Sequence, residues 1–138
     1  MDVVILGGIG AAIALLTTAF IFLKRRPRRI KVSRIQDKWR EMQKLLADKT
    51  TWPDAIVTAD KLLDDVLKKK KFGGKTMGER LTKAQRMLSD NESVWFGHKL
   101  RTKLEGDPET KLKESDVKQA LVGIRQALKD LGALPDGK

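Results

Sequence analysis

A histidine and an arginine three positions apart, His98 and Arg101, are the residues of this chain best suited to chemistry on phosphate groups. At that spacing the two side chains share one face of a helix. An imidazole exchanges protons near neutral pH, and a guanidinium binds phosphate oxygens. The ordinary alternative is that His98 packs between helices or lies at the surface. Because the chain has one histidine and no cysteine, a multi-histidine metal site and a thiol nucleophile are excluded.

A run of lysines forms the second candidate contact for phosphate, on RNA or on lipid. Its members are Lys68, Lys69, Lys70, Lys71 and Lys75. The alternative role of such a run is to complement the dipole at the end of the preceding helix. The sequence Gly74-Lys75-Thr76 is similar to the end of a phosphate-binding loop, but Lys69 occupies the position where that loop requires its first glycine. We therefore expect an ordinary loop and a helix cap here.

Two aspartates, Asp60 and Asp64, stand four positions apart, which is the spacing of neighbours on a helix. Together they could hold a divalent cation. Lys61 and Lys68 lie beside them in the sequence, and ion pairs along a single helix are the ordinary explanation of such a pattern. We predict no metal site, no cofactor and no catalytic residue in this chain.

The excess of positive charge is concentrated in one short segment. The 138 residues include 29 Lys and Arg against 18 Asp and Glu, which gives a net charge of +11. Seven of the eleven residues in 24–34 are basic and none is acidic, whereas residues 35–138 hold 22 basic and 17 acidic residues, a net charge of +5. Because the larger part is only mildly basic, the overall charge is a weak argument for nucleic-acid binding.

Residues 3–23 contain no charged side chain, and twelve of these 21 residues are Val, Ile, Leu or Phe. A helix of that length spans roughly 30 Å, the thickness of a hydrocarbon core. A cleaved signal peptide is the alternative, but it requires basic residues before the apolar stretch and small residues after it, and both are lacking. We predict a single transmembrane helix in the cell membrane, with the N-terminus outside and residues 24–138 in the cytosol.

The basic segment after this helix is expected to fix the topology and to lie on anionic headgroups. The side chains expected at the headgroups are Lys24, Arg25, Arg26, Arg28, Arg29, Lys31 and Arg34. Small residues recur along the apolar stretch at a spacing that lets two membrane helices approach closely. The residues of this predicted packing face are Gly7, Gly10, Ala11 and Ala14. The pattern favours self-association of the helix as one hypothesis.

Apolar residues recur at three- and four-residue spacing through the rest of the chain, without the alternation typical of strands. With Ser33 as a cap, a capping box at Thr76 and Glu79, and Pro and Gly at the breaks, this pattern predicts five helices, over about residues 33–46, 53–71, 76–88, 93–104 and 114–131. The predicted core stripes consist of Ile35, Trp39, Met42, Leu46, Ile56, Ala59, Leu63, Val66, Met77, Leu81, Ala84, Leu88, Val117, Ala120, Leu121, Ile124, Leu128 and Leu131. Helices of this length with short connections form an antiparallel bundle. The three tryptophans, Trp39, Trp52 and Trp95, are expected to anchor its core rather than to stack on bases.

The predicted fold is therefore all-α, with one N-terminal transmembrane helix followed by a bundle of about five helices. Its parts are an anchor at residues 1–23, a basic linker at 24–34, a cytosolic bundle at 35–134 and a flexible tail at 135–138.

Two segments carry a resemblance to known proteins: residues 76–81, which read TMGERL, and residues 92–132, which include WFGHKLRTKL. Over residues 35–134 the chain resembles small single-pass bacterial membrane proteins of unknown function. In these proteins a helix reading roughly WxAHKLRNxxAHE precedes a last helix that ends in ALxxLG. They in turn resemble the HEPN superfamily, helical bundles named for higher-eukaryote and prokaryote nucleotide binding.

The resemblance implies a HEPN-like fold without the activity of the catalytic members. Those members are metal-independent ribonucleases whose motif is an arginine, then a polar residue, with a histidine four to six positions further on. Arg101 matches the arginine and Thr102 stands in place of the usual asparagine, but the histidine position falls on Gly106, Asp107 or Pro108. None of these three can replace an imidazole as a general acid or base near neutral pH.

Two functions are consistent with these observations. The preferred one is a membrane-anchored, non-enzymatic helical module for protein interaction or assembly, whose protein partner is unknown. The alternative is an RNA- or nucleotide-binding protein of HEPN type, catalytically degenerate, which would use His98, Arg101 and the lysines of residues 68–75.

Overall fold

The computed structural model describes residues 14–21 and 29–136, and every regular element within them is helical. The α-helices are α1 (14–21), α2 (Val32–Lys44), α3 (Trp52–Lys69), α4 (Met77–Ala84), α5 (Asn91–Gly106) and α6 (Glu114–Asp130). Two 3₁₀ turns, Leu45–Ala47 and Lys49–Thr51, connect α2 to α3. The predicted helical bundle is confirmed, and its five helices α2 to α6 match the five that the apolar pattern indicated.

The prediction of a transmembrane helix is wrong for the part of the chain that the structure describes. Within residues 14–21 and 29–136, no helix combines the length and the apolar character needed to cross a bilayer. The described part of the predicted span is α1, and the other residues of that span lie outside the described part of the chain. The same finding contradicts the predicted location in the cell membrane with the N-terminus outside.

Several residues of the membrane prediction lie outside the described part of the chain. They are Gly7, Gly10 and Ala11 of the predicted packing face and Lys24, Arg25, Arg26 and Arg28 of the predicted headgroup contacts. Ala14 is the first described residue of α1, where its carbonyl accepts a hydrogen bond from the Thr18 hydroxyl at 2.8 Å. Arg29, Lys31 and Arg34 are exposed at the start of α2.

The core is formed by the apolar stripes of α2, α3, α4 and α6, as the spacing predicts, together with Val94 and Leu104 of α5. The predicted stripe residues that are buried are Ile35, Trp39, Met42, Ile56, Ala59, Leu63, Val66, Met77, Leu81, Ala84, Leu88, Val117, Ala120, Leu121, Ile124, Leu128 and Leu131. Leu46 is only partly buried, because the helix has already given way to a 3₁₀ turn at that point. Trp52 and Trp95 pack against the core from its edge.

Helices α5 and α6 approach so closely that glycine is required at position 123 and a side chain at position 97 would be crowded. A Cβ on Gly123 would lie 2.5 Å from the backbone of Ser93, a distance at which the helices must separate. A Cβ on Gly97 would lie 3.2 Å from the Ile124 side chain and 3.3 Å from the Ala120 carbonyl oxygen. This close approach holds the α5 face that carries His98 and Arg101 firmly in place.

The helix ends follow the predicted capping signals in part. The Thr76 hydroxyl accepts the Glu79 backbone N–H at 3.2 Å, as the capping box predicts, although the Glu79 carboxylate reaches back to the N–H of Lys75 rather than of Thr76. The prediction that Ser33 caps α2 is wrong, since that helix begins one residue earlier and Lys31 precedes it without a side-chain cap. Gly132 ends α6 with a φ of 73°, which glycine adopts readily.

Candidate functional site

Helix α3 directs two carboxylates into the protein interior, and each meets an arginine from another helix. Asp60 is fully buried and Asp64 is almost fully buried. Both lie within the apolar face of α3, because Asp60 follows Ile56 by one turn and Asp64 adjoins Leu63. Burying an ionised carboxylate is costly unless it is paired and hydrogen-bonded, so these two side chains require fixed partners.

The partners of Asp60 are the two residues singled out as candidates for phosphate chemistry. One oxygen of Asp60, Oδ2, lies 2.9 Å from His98 Nδ1 and 3.1 Å from Arg101 Nη1. The other oxygen, Oδ1, is buried and has no hydrogen-bond partner among the described residues. His98 and Arg101 therefore share one face of α5, as their spacing predicts, and that face points inward.

His98 is oriented by this carboxylate and by an aromatic ring. A hydrogen bond joins the two side chains when His98 Nδ1 carries the proton and the Asp60 oxygen accepts it. The ring also meets Trp95 edge to face, with centroids 6.0 Å apart and planes at 74°. The side chain is therefore held in one orientation at the junction of α3 and α5.

The positive charge of Arg101 is balanced by carboxylates of the protein itself. In addition to its contact with Asp60, its Nε donates to Glu105 Oε1 at 2.9 Å, and its Nη1 lies 3.7 Å from the Met77 sulfur. Burial lowers the pKa of Arg101, but the hydrogen bonds and charges of Glu105 and Asp60 outweigh burial and raise the pKa above its usual value. Two carboxylates thus face one guanidinium, which makes this cluster unattractive to a phosphate.

The second aspartate, Asp64, is held by Arg80 of α4 in a two-pronged pair. The Arg80 Nε and Nη2 atoms donate to the two carboxylate oxygens at 2.7 and 2.8 Å. Burial raises the pKa of Asp64, but Arg80 and then Lys68, whose ammonium lies 3.6 Å away, hold the pKa below its usual 3.8. The third donor of Arg80, Nη1, bonds the Gly74 carbonyl at 2.8 Å and so fastens the lysine-rich loop to α3.

The lysines of residues 68–75 are near this cluster but do not converge on His98 and Arg101. Lys68 pairs with Asp64 along α3, and Lys69 and Lys70 are partly buried at the end of that helix. Lys71 and Lys75 are exposed in the loop. Lys71 takes a positive φ of 64°, and the Phe72 and Lys71 N–H groups close the helix on the Leu67 and Lys68 carbonyls. Lys68 to Lys71 therefore lie at the C-terminal end of α3, where lysine charges complement the helix dipole.

The alternative in which Asp60 and Asp64 together hold a cation is not what the structure shows. Each aspartate instead has its own arginine, and within residues 14–21 and 29–136 no group of three or more metal-ligating side chains lies together. Arg80 was not among the residues that the sequence pattern singled out. A signal was present, since Asp60, Arg80 and Arg101 each fall within an apolar stripe, where a charge requires a partner of opposite sign.

Comparisons of the chain with protein families, with curated proteins and with solved structures give no match. The resemblance to HEPN proteins and to small single-pass bacterial proteins therefore stays a prediction, which rests on the residues quoted above.

Proposed function

We propose that this helical bundle is a non-enzymatic module that binds another protein, and that its charged interior is structural. The observation that carries the proposal is the sharing of the buried Asp60 carboxylate by His98 and Arg101. A pair of side chains that acts on a phosphodiester must present its imidazole and guanidinium to the substrate. Here Asp60 holds the Nδ1 side of the imidazole and one arm of the guanidinium, and the two side chains, only 18% and 16% exposed, join α5 to α3.

The charge around the cluster supports binding of a protein more than binding of RNA. RNA affinity depends largely on cations that neutralise phosphates. The Arg101 charge is opposed by Asp60 and Glu105, and the Lys68 charge by Asp64. A partner that approaches this face therefore meets matched charges, a surface more suitable for a protein with both kinds of side chain.

An exposed apolar side chain on α6 offers a starting point for such contacts. Val122 is 57% exposed, although α6 buries its neighbours Leu121 and Gly123. Single exposed apolar residues are common, so Val122 alone does not define an interface. It lies on the outer face of α6, the helix that packs most closely on α5.

Photo-crosslinking tests the protein-binding proposal directly. In the full chain, Val122→p-benzoylphenylalanine is expected to form a defined protein adduct in cells that make the chain naturally. A matched variant, Lys103→p-benzoylphenylalanine, places the same group at an exposed position on α5 and is expected to give no adduct of that size. If position 122 captures no protein, the proposal is contradicted.

RNA experiments with the full chain test the alternative function. We expect no cleavage, and we expect Lys71→Gln with Lys75→Gln to leave any salt-dependent RNA binding unchanged, because such binding would come from the basic residues of 24–34. The variant His98→Gln removes the imidazole, but its amide can still donate a hydrogen bond to Asp60, so the bundle is expected to stay folded. Cleavage that His98→Gln abolishes, or binding that the two lysine variants weaken about tenfold, would favour the RNA-directed function instead.

A further inference from the structure

A cleft lies between α2, α6 and the segment that follows α6, on a different part of the bundle from the Asp60 cluster. Its volume is about 350 Å³, near the lower end of the range for small-molecule sites. Its walls include two arginines, Arg40 from α2 and Arg125 from α6, together with Trp39 and two glutamine side chains, Gln36 and Gln43. Leu134 contributes an apolar part of the wall.

The arginines of this cleft are available for a ligand. Arg125 has no carboxylate within ion-pair distance among the described residues. Arg40 has one, Asp37, at 3.7 Å, and both of those side chains are at least 70% exposed, so the pair is loose. One carboxylate, that of Asp136, also lines the cleft, which leaves the lining with a net positive charge.

The tryptophan in the wall supplies a second, independent observation. Trp39 is 6% exposed, and its indole N–H is buried without a hydrogen-bond acceptor among residues 14–21 and 29–136. The indole of Trp52, in contrast, donates to the Leu46 carbonyl at 3.0 Å. Buried donors are rarely left unpaired, and because Trp39 lines the cleft, its indole reports on a ligand that binds there.

We propose that this cleft binds a small organic oxyanion, a carboxylate or a phosphate monoester with a compact apolar body. Guanidinium groups bind both kinds of oxyanion through paired hydrogen bonds, and the glutamine amides can donate to the same oxygens. The apolar body would rest against Leu134 and the Trp39 ring. This site is separate from the protein-binding function proposed above and does not depend on it.

The three tryptophans allow a direct test by NMR, because each indole N–H gives its own signal. The full chain is titrated with benzoate, with phenyl phosphate and, as a neutral match, with benzamide. We expect the Trp39 signal to move and saturate with benzoate or phenyl phosphate while the Trp52 signal stays in place, and benzamide to have no effect. The stronger of the two anions identifies the oxyanion that the cleft prefers.

Two single substitutions test whether the anion binds in the cleft or elsewhere on the surface. Arg125→Gln is expected to weaken the anion affinity about tenfold, which is the scale of one charge-assisted interaction. Arg86→Gln removes an exposed arginine that does not line the cleft, and it is expected to leave the affinity unchanged. The proposal is overturned if the Trp39 signal does not move, if benzamide moves it equally, if all indole signals move together, or if Arg125→Gln binds as the unaltered chain does.

Discussion

The Asp60 carboxylate lies 3.1 Å from the Arg101 guanidinium, and none of the Asp60 side chain is exposed. The two residues are 41 positions apart in the sequence, so the contact fixes the position of α5 on α3. A buried pair of this kind contributes little net stability compared with apolar residues, but the loss of one partner leaves an uncompensated charge. Its main effect is therefore to make the register of the two helices specific.

The first prediction concerns this pair. Arg101→Met should lower the free energy of unfolding by about 3–5 kcal/mol, because Asp60 is left charged and buried. In an Asp60→Asn background the same change should cost less, by at least about 1 kcal/mol, since the remaining amide carries no charge. Urea denaturation of the four chains measures this coupling. Equal costs in both backgrounds would mean that the two side chains do not interact.

The second prediction is a pH dependence from Asp64. Its folded-state pKa lies below the usual 3.8, so the Asp64–Arg80 pair contributes its full stability above pH 3.8 and loses that stability as the pH falls through the lowered value. The stability difference between the unaltered chain and Asp64→Asn should therefore be constant above pH 3.8 and shrink below it.

Urea denaturation between about pH 7 and pH 2 checks this result. Asp37→Asn is the matched control, because Asp37 is exposed and its pair with Arg40 is loose. A difference between the unaltered chain and Asp64→Asn that stays flat down to the lowest pH, or that grows, would contradict the assigned role of Arg80.

The third prediction concerns the contact between α5 and α6. Gly123→Ala should destabilise the protein by about 3 kcal/mol, the upper end of the usual cost of overpacking, because the new methyl group meets the Ser93 backbone at 2.5 Å. Gly106→Ala is the control, since a Cβ at that position meets nothing within 4 Å. Thermal unfolding that ranks the two variants equally would show that the helices can separate without cost.

The bundle could be predicted from the sequence because apolar spacing reports directly on which helix face is buried. Every stripe from Ile35 in α2 to Leu131 after α6 contributes to the core, with Leu46 as the exception at a 3₁₀ turn. The ends of helices were less predictable. Ser33 is a suitable cap by type, yet α2 begins before it, since caps depend on where the first turn packs.

The site was predictable only as a set of candidates. The spacing of His98 and Arg101 shows that they share a face, but it does not show whether that face points to solvent or to Asp60, 38 and 41 residues away. Long-range pairing depends on how α3, α4 and α5 pack together. The glycines Gly97 and Gly123 were missed for the same reason, because a helix contact this close has no local signature within either helix.

The last prediction concerns the end of α3, where Lys71 occupies the left-handed position that glycine usually fills. Its φ is 64°, and the Phe72 N–H bonds the Leu67 carbonyl at 3.1 Å, so the backbone must hold this conformation to close the helix. A side chain in that conformation costs roughly 1–2 kcal/mol, whereas glycine adopts it freely at a smaller entropic cost. Lys71→Gly should therefore raise the free energy of unfolding by about 0.5–1 kcal/mol.

The neighbouring residue provides the control for this prediction. Lys70 has a φ of −75°, within the ordinary helical range, so glycine relieves no backbone strain there. Lys70→Gly should therefore lower the free energy of unfolding by about 0.5–1 kcal/mol, because glycine loses more backbone entropy on folding. The two substitutions remove the same side chain type one position apart, and loss of a lysine charge is common to both. Opposite signs in urea denaturation would therefore come from the backbone alone, and destabilisation by Lys71→Gly would show that the Lys71 side chain itself stabilises the end of α3.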